Sequence, residues 1–239
     1  MKQMFTSLLF VLFLMPAFGQ ESMEETKTAR LNPWEIGGSI SASSFAGDLV
    51  VPDASSIRAT SFSVGAFGRL AIANQFTTRL SLKYGRLSAD DTDFPKLENR
   101  GFSFTKNFTE LTLGFEWEPL GNNPFQADGS FKKRVSPYLY AGIGGVFGSP
   151  DINFGSSSIE NDPDVQKDLA NQRNSHFTVP FGVGVKAYLS PLMTIGGELG
   201  LRPVFNDYLD GVSYSGNPDA NDWYGVLTFN IGYRLGMEN

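Results

Sequence analysis

Trp223-Tyr224-Gly225-Val226-Leu227-Thr228-Phe229-Asn230-Ile231-Gly232-Tyr233-Arg234-Leu235 is the stretch whose reading decides the fold. Trp223, Gly225, Leu227, Phe229, Ile231, Tyr233 and Leu235 alternate with Tyr224, Thr228, Asn230, Gly232 and Arg234. A repeat of two is the period of a β-strand, whose successive side chains leave by opposite faces; a helix would repeat every three to four. One face is therefore apolar and the other polar. The stretch also exceeds the roughly 9–11 residues that a tilted strand needs to cross a bilayer.

The same rhythm recurs through the chain. Trp34–Phe45, Ser61–Ala71, Arg79–Tyr84, Glu110–Glu118, Val135–Phe147, Thr178–Tyr188 and Met193–Arg202 each alternate in period two, giving eight strands in all. Alternation alone serves a soluble barrel or a membrane barrel equally. The connections separate the two: Ile72–Gln75 and Ser190–Leu192 are short, whereas Gly47–Thr60, Ser88–Gly101, Gly148–His176 and Phe205–Asn221 are long. Short turns at one end and long loops at the other are the pattern of outer-membrane barrels. Trp34, Trp117, Tyr138, Trp223 and Tyr233 lie near strand ends, where aromatic girdles form. The sequence thus predicts an all-β, eight-stranded antiparallel transmembrane β-barrel in the cell outer membrane, its partner on the outside being outer-membrane lipid.

The start of the chain agrees with export. Lys2 precedes an apolar run from Leu8 to Phe18, and Ala17-Phe18-Gly19 places small residues before Gln20. Residues 1–19 read as a cleaved signal peptide, 20–33 as a periplasmic leader and 34–239 as the barrel.

Composition narrows the function. With no Cys and one His among 239 residues, thiolate chemistry and multi-His metal sites are excluded. A net charge of −6 argues against nucleic acid. The polar faces carry Glu35, Glu110, Glu116, Glu118 and Glu198 with Arg69, Arg79, Lys83, Lys186, Arg202 and Arg234. Eight strands enclose little space, so these charges are expected to pair as an interior plug rather than line an ion pathway. Glycines on the same faces, Gly182, Gly184, Gly196 and Gly200, would make room for them.

Other motifs point away from catalysis. Ser175 and His176 are adjacent, so a strand would aim them to opposite faces, and the His is expected to be solvated at a loop edge. Asp90-Asp91-Asp93, Glu160-Asp162-Asp164 and Asp219-Asp222 lack the spacing of a calcium loop and read as solvated carboxylates. Gly142-Ile143-Gly144-Gly145 lacks the Lys-Ser/Thr of a phosphate loop. No enzyme, cofactor or metal is expected. The Pro119–Arg134 connection is long for its end of the barrel and closes on Lys132-Lys133-Arg134, a basic cluster suited either to a partner surface or to solvent and lipid headgroups.

Several motifs carry a family resemblance. Glu35-Ile36-Gly37 leads to Phe45-Ala46-Gly47-Asp48-Leu49; Gly85 to Asp91, Arg100 to Phe104 and Glu110 to Glu116 follow in order. Ser136 to Gly142, Val179 to Gly184, Asn206 to Val212 and Asn221 to Tyr224 complete the set. The chain resembles the Bacteroidota outer-membrane barrels grouped under a domain of unknown function, and among them the PorG-like barrels of the type IX secretion system. The match departs at Leu235 to Asn239, which lacks a terminal aromatic. The resemblance implies a non-enzymatic scaffolding subunit that contacts the periplasmic ring proteins PorK and PorN through the leader, the Pro119–Arg134 turn or the tail. A stand-alone barrel acting as anchor, adhesin or narrow pore is the alternative.

Overall fold

The computed structural model describes residues 30–46, 60–90, 103–153, 162–205 and 223–238. In chain order they form β1 (Arg30–Leu31), β2 (Trp34–Ala46), β3 (Thr60–Ala73), β4 (Phe76–Asp90), β5 (Ser103–Trp117), β6 (Arg134–Phe147), β7 (Pro150–Asn153), α1 (Pro163–Asn171), β8 (Ser175–Thr178), β9 (Phe181–Tyr188), β10 (Met193–Pro203), β11 (Trp223–Arg234) and β12 (Met237–Glu238). The signal-peptide reading and most of the leader fall outside these residues.

β7 continues β6 past a kink, and β8 continues into β9 past Val179-Pro180, so the wall has eight staves. Each stave pairs antiparallel with its sequence neighbour, and β11 pairs with β2 to close the ring. The kink sits at Gly148, whose φ is +147° and where a Cβ would strike the Asn107 carbonyl oxygen; only glycine fits there.

Register fixes the shape. Glu35 lies opposite Arg69, Arg69 opposite Arg79, Arg79 opposite Gly114 and Gly114 opposite Gly142. The pairing continues in register through Pro180 to Arg202, then to Tyr224 and Phe45, ten residues along β2 from the start. With a rise of ~3.3 Å per residue and a strand spacing of ~4.8 Å, a shear of ten over eight staves gives a tilt of about 41° and a radius of about 8 Å.

The wall is inside-out relative to a soluble protein. Its outward positions are Ile36, Ile40, Phe62, Val64, Leu80, Leu82, Leu111, Leu113, Ile143, Val183, Leu199, Leu227 and Phe229, all exposed, and Phe62 reaches 76%. Leaving such residues in water would forgo roughly 1.5–3 kcal/mol each, so the belt faces hydrocarbon. Trp34, Trp117, Phe76 and Tyr233 ring one end of the belt and Trp223, Tyr84 and Phe62 the other. Tyr138 corrects one expectation: it is no girdle residue but is buried inside the barrel, sharing the phase of Tyr140 and Ser136.

One end carries the Asn74-Gln75 and Ser190–Leu192 turns and the pairing of β1 with β12, and is the periplasmic end by its short connections. The opposite end is more built than a long loop suggests. Within the stretch expected as a loop from Gly148 to His176, β7 and β8 extend the wall and α1 adds a helix capped by Asp162, whose carboxylate accepts from the Asp164 and Val165 amides. Asp164, half exposed, pairs with Lys167 at 2.7 Å, so of this acidic set Asp162 caps a helix and Asp164 makes a surface ion pair, while Glu160 lies outside the described residues.

Candidate functional site

The inward phase of the staves delivers all eleven charged residues, Glu35, Arg69, Arg79, Lys83, Glu110, Glu116, Glu118, Lys186, Glu198, Arg202 and Arg234, to a buried interior. They form a column. At the periplasmic end Arg234 lies 3.8 Å from Glu35, and Arg69 joins Glu35 at 2.5 Å to Glu116 at 2.9 Å. Lys186 bridges Glu116 at 3.0 Å and Glu118 at 2.7 Å, while the Tyr188 hydroxyl donates to Glu118 at 2.8 Å. Arg79 carries the chain across the barrel, from Glu116 at 2.8 Å to Glu198 at 2.7 Å. Arg202 stands 3.6 Å from both Glu198 and Glu110, and the Tyr224 hydroxyl donates to Glu110 at 2.5 Å. Lys83 donates to the Thr228 hydroxyl at 3.3 Å.

Aromatic rings complete the packing. Arg79 lies 3.8 Å from the centroid of Tyr140, and Arg69 lies 4.3 Å from that of Phe67, placing delocalised cations over π faces. Glycine makes this fit: a Cβ at Gly184 would enter the Tyr138 ring, one at Gly114 would press on Tyr140, and one at Gly37 would enter Phe67. Arg79–Glu198 joins β4 to β10 and Arg202–Glu110 joins β10 to β5, so the column ties opposite walls together. Removing one partner would strand a charge in low dielectric. Tyr140, Tyr188, Tyr224 and Phe67 belong to this site and were not singled out as interior residues by sequence reading, and Tyr138 joins them from its expected place in the girdle. The signal that finds them is phase: Phe67, Tyr188 and Tyr224 lie an even number of residues from Arg69, Lys186 and Arg234 on their own staves, and Tyr138 and Tyr140 share the phase of the buried Ser136.

The long periplasmic connection is an ordered cap. Asn122 donates to the Ala73 carbonyl at 2.8 Å and its own carbonyl accepts from Arg234 at 2.9 Å. Phe125 and Phe131 bridge as a small hairpin with rings 6.1 Å apart. At its tip the hydroxyl and amide of Ser130 both donate to Asp128, holding that carboxyl below its usual range. The basic cluster divides: Lys132 and Lys133 are exposed, whereas Arg134 turns back to the carbonyls of Leu120, Gly121 and Asn123. Arg134 therefore holds the cap.

At the outer end His176 is buried, correcting the expectation of a solvated histidine; its Nε2 lies 2.8 Å from Lys106 Nζ and 3.1 Å from the Arg173 carbonyl. Ser175 is exposed on the opposite face, so the two form no nucleophile–base pair. Among the described residues no group of three or more His, Cys, Asp or Glu is placed to hold a metal ion.

A closed wall with an apolar exterior and a charged, side-chain-filled interior defines a transmembrane β-barrel of the outer membrane. The chain belongs to the family described as a domain of unknown function, DUF6089, which it matches over residues 8–239. Among solved structures it is similar to Neisserial surface protein A at 14% identity, covering 85% of this chain and 97% of that one, with a TM-score of 0.47. It is also similar to Ail, the attachment invasion locus protein of Yersinia pestis, at 12% identity over 84% and 97% of the two chains with a TM-score of 0.46. A third is a major outer membrane protein from Thermus thermophilus, at 16% identity over 84% and 99% with a TM-score of 0.42. No curated protein sequence matches the chain.

Proposed function

We propose that this barrel is a non-enzymatic, PorG-like scaffolding subunit of the type IX secretion system, anchored in lipid by its belt and engaging the periplasmic ring proteins PorK and PorN from below. The observation that supports the reading is the cap over residues 119–133. A hairpin needs only two to five residues, and Ser190–Leu192 shows how short a turn this end can take. The extra residues are ordered, pinned by Arg134 and Arg234, and present Lys132 and Lys133 to the periplasm. Exposed cations on a fixed loop suit an acidic partner surface, steering association and fixing register. A periplasmic ring reaches this end alone, because a hydrocarbon core of ~30 Å separates it from the outer loops.

The test is replacement of 125–131 by a short Gly-Ser turn, sparing the carbonyls of 120–123 that Arg134 and Arg234 hold, alongside Lys132→Glu/Lys133→Glu. Both variants are expected to insert normally and to lose ring co-purification and secretion. Shortening 155–161 in the outer loop is expected to leave both intact. Loss with the outer deletion alone would overturn the scaffold and favour the stand-alone reading of anchor, adhesin or narrow pore.

A further inference from the structure

The ion-pair column surrounds a cavity of about 20 Å³ between Ser39, Ser81, Lys83, Arg79, Arg202 and Asn230. Its lining is not balanced. Four cations, Arg69, Arg79, Lys83 and Arg202, face it with two carboxylates, Glu110 and Glu198. Glu116 bonds Arg69 and Arg79 from the periplasmic side and brings the carboxylates to three, still one short. The imbalance extends to the eleven-residue column, with six cations against five glutamates. An uncompensated charge in a low-dielectric interior is costly, and buried charges are as a rule paired.

Hydrogen bonding points the same way. The Nε of Arg79 and the Nη2 of Arg69 are buried and find no hydrogen-bond acceptor among the described residues, and the Nε of Arg202 stands 3.6 Å from Glu110, beyond hydrogen-bond distance. The Lys83 ammonium has three N–H groups, and its hydrogen bond to the Thr228 hydroxyl uses one. That hydroxyl is shared with Ser41 at 3.0 Å. Against these donors, the Asn230 carbonyl oxygen is the unmatched amide acceptor at the cavity. The cavity therefore holds unmatched cationic donors beside neutral hydroxyls, which can accept but carry no charge, and is short of one negative charge.

We propose that the barrel interior binds a monatomic anion of the chloride class, held by the Lys83 ammonium and the side-chain N–H groups of Arg79 and Arg202. Size selects the class. A volume of about 20 Å³ suits roughly one water-sized particle and favours a monatomic anion over phosphate, sulfate or a carboxylate. A water would meet some of the donors and leave the charge unbalanced. The anion satisfies both, and it would lock β4 to β10 across the barrel through Arg79, Lys83 and Arg202.

The direct experiment is diffraction from crystals of the full barrel grown or soaked in bromide, read by anomalous scattering. One buried bromide within contact distance of Lys83 Nζ and the two guanidinium groups is expected. In parallel, the heat-induced shift of the barrel on gels is followed in chloride and in gluconate at equal ionic strength. Chloride at about a hundred times its dissociation constant is expected to raise the midpoint by about 5 °C or more. Lys83→Met is expected to abolish that difference. A cavity without anomalous signal in saturating bromide, or a chloride effect of equal size in Lys83→Met, would overturn the proposal. If Lys83→Met does not fold, the bromide map of the unaltered protein decides alone.

Discussion

Glu116→Gln removes the carboxylate on which three cations converge: Arg69 at 2.9 Å, Arg79 at 2.8 Å and Lys186 at 3.0 Å. Deleting one partner of a buried ion pair typically costs about 3–5 kcal/mol, because the remaining charge stays in low dielectric. Here each cation keeps a second carboxylate, Glu35 for Arg69, Glu198 for Arg79 and Glu118 for Lys186, so the loss sits at the lower end, about 3 kcal/mol. Urea unfolding of the barrel in lipid vesicles, followed by fluorescence of Trp34, Trp117 and Trp223, reads this directly. With a slope of about 2–3 kcal/mol/M, the midpoint falls by about 1 M and the slope stays unchanged. Adding Arg79→Met restores the charge count, and Glu198 keeps Arg202 and the Tyr138 hydroxyl. The double variant is therefore expected to be less destabilised than the sum of the singles, by about 0.5–3 kcal/mol. A Glu116→Gln midpoint within error of the parent, or strict additivity, would refute the reasoning.

Leu227→Arg, in the middle of β11 on the lipid side, is expected to cost about 2–4 kcal/mol in bilayers, measured by the same urea titration. Gly184→Ala is expected to destabilise by about 1–3 kcal/mol, since its Cβ would enter the Tyr138 ring, whereas Gly68→Ala, with nothing within 4 Å of its Cβ, is expected to be neutral or slightly stabilising. The folded protein is expected to migrate faster on gels without boiling than after it, because a closed wall has no free edge from which to unzip; identical migration would contradict closure.

The wall was legible in the sequence because a barrel strand writes its two environments into alternate positions. β11 shows this cleanly: Leu227, Phe229 and Ile231 face lipid, and Thr228, Asn230 and Arg234 face inward. The direction of the pattern came from loop lengths rather than from the alternation. Where residue type was weighed instead of phase, the reading failed. Tyr138 was placed at the membrane interface for being aromatic near a strand end, although it stands two residues from Tyr140 on the inward row. The fate of Arg134 was not legible, because its partners are backbone carbonyls of its own loop and carry no side-chain signature. Nor was the burial of His176, which depends on β8 extending the wall beyond the membrane and on Lys106 arriving from β5.

The central claim is that the apolar phase of each stave faces lipid and the charged phase fills the interior. The chain has no Cys, so single cysteines placed one at a time from 223 to 234 give clean nitroxide labels. Their collision rates with oxygen dissolved in the bilayer test the claim directly. High accessibility is expected at 223, 225, 227, 229, 231 and 233, with a maximum near 227 to 229, and low accessibility at the positions between. The inverse phase, or accessibility without a period of two, would contradict it.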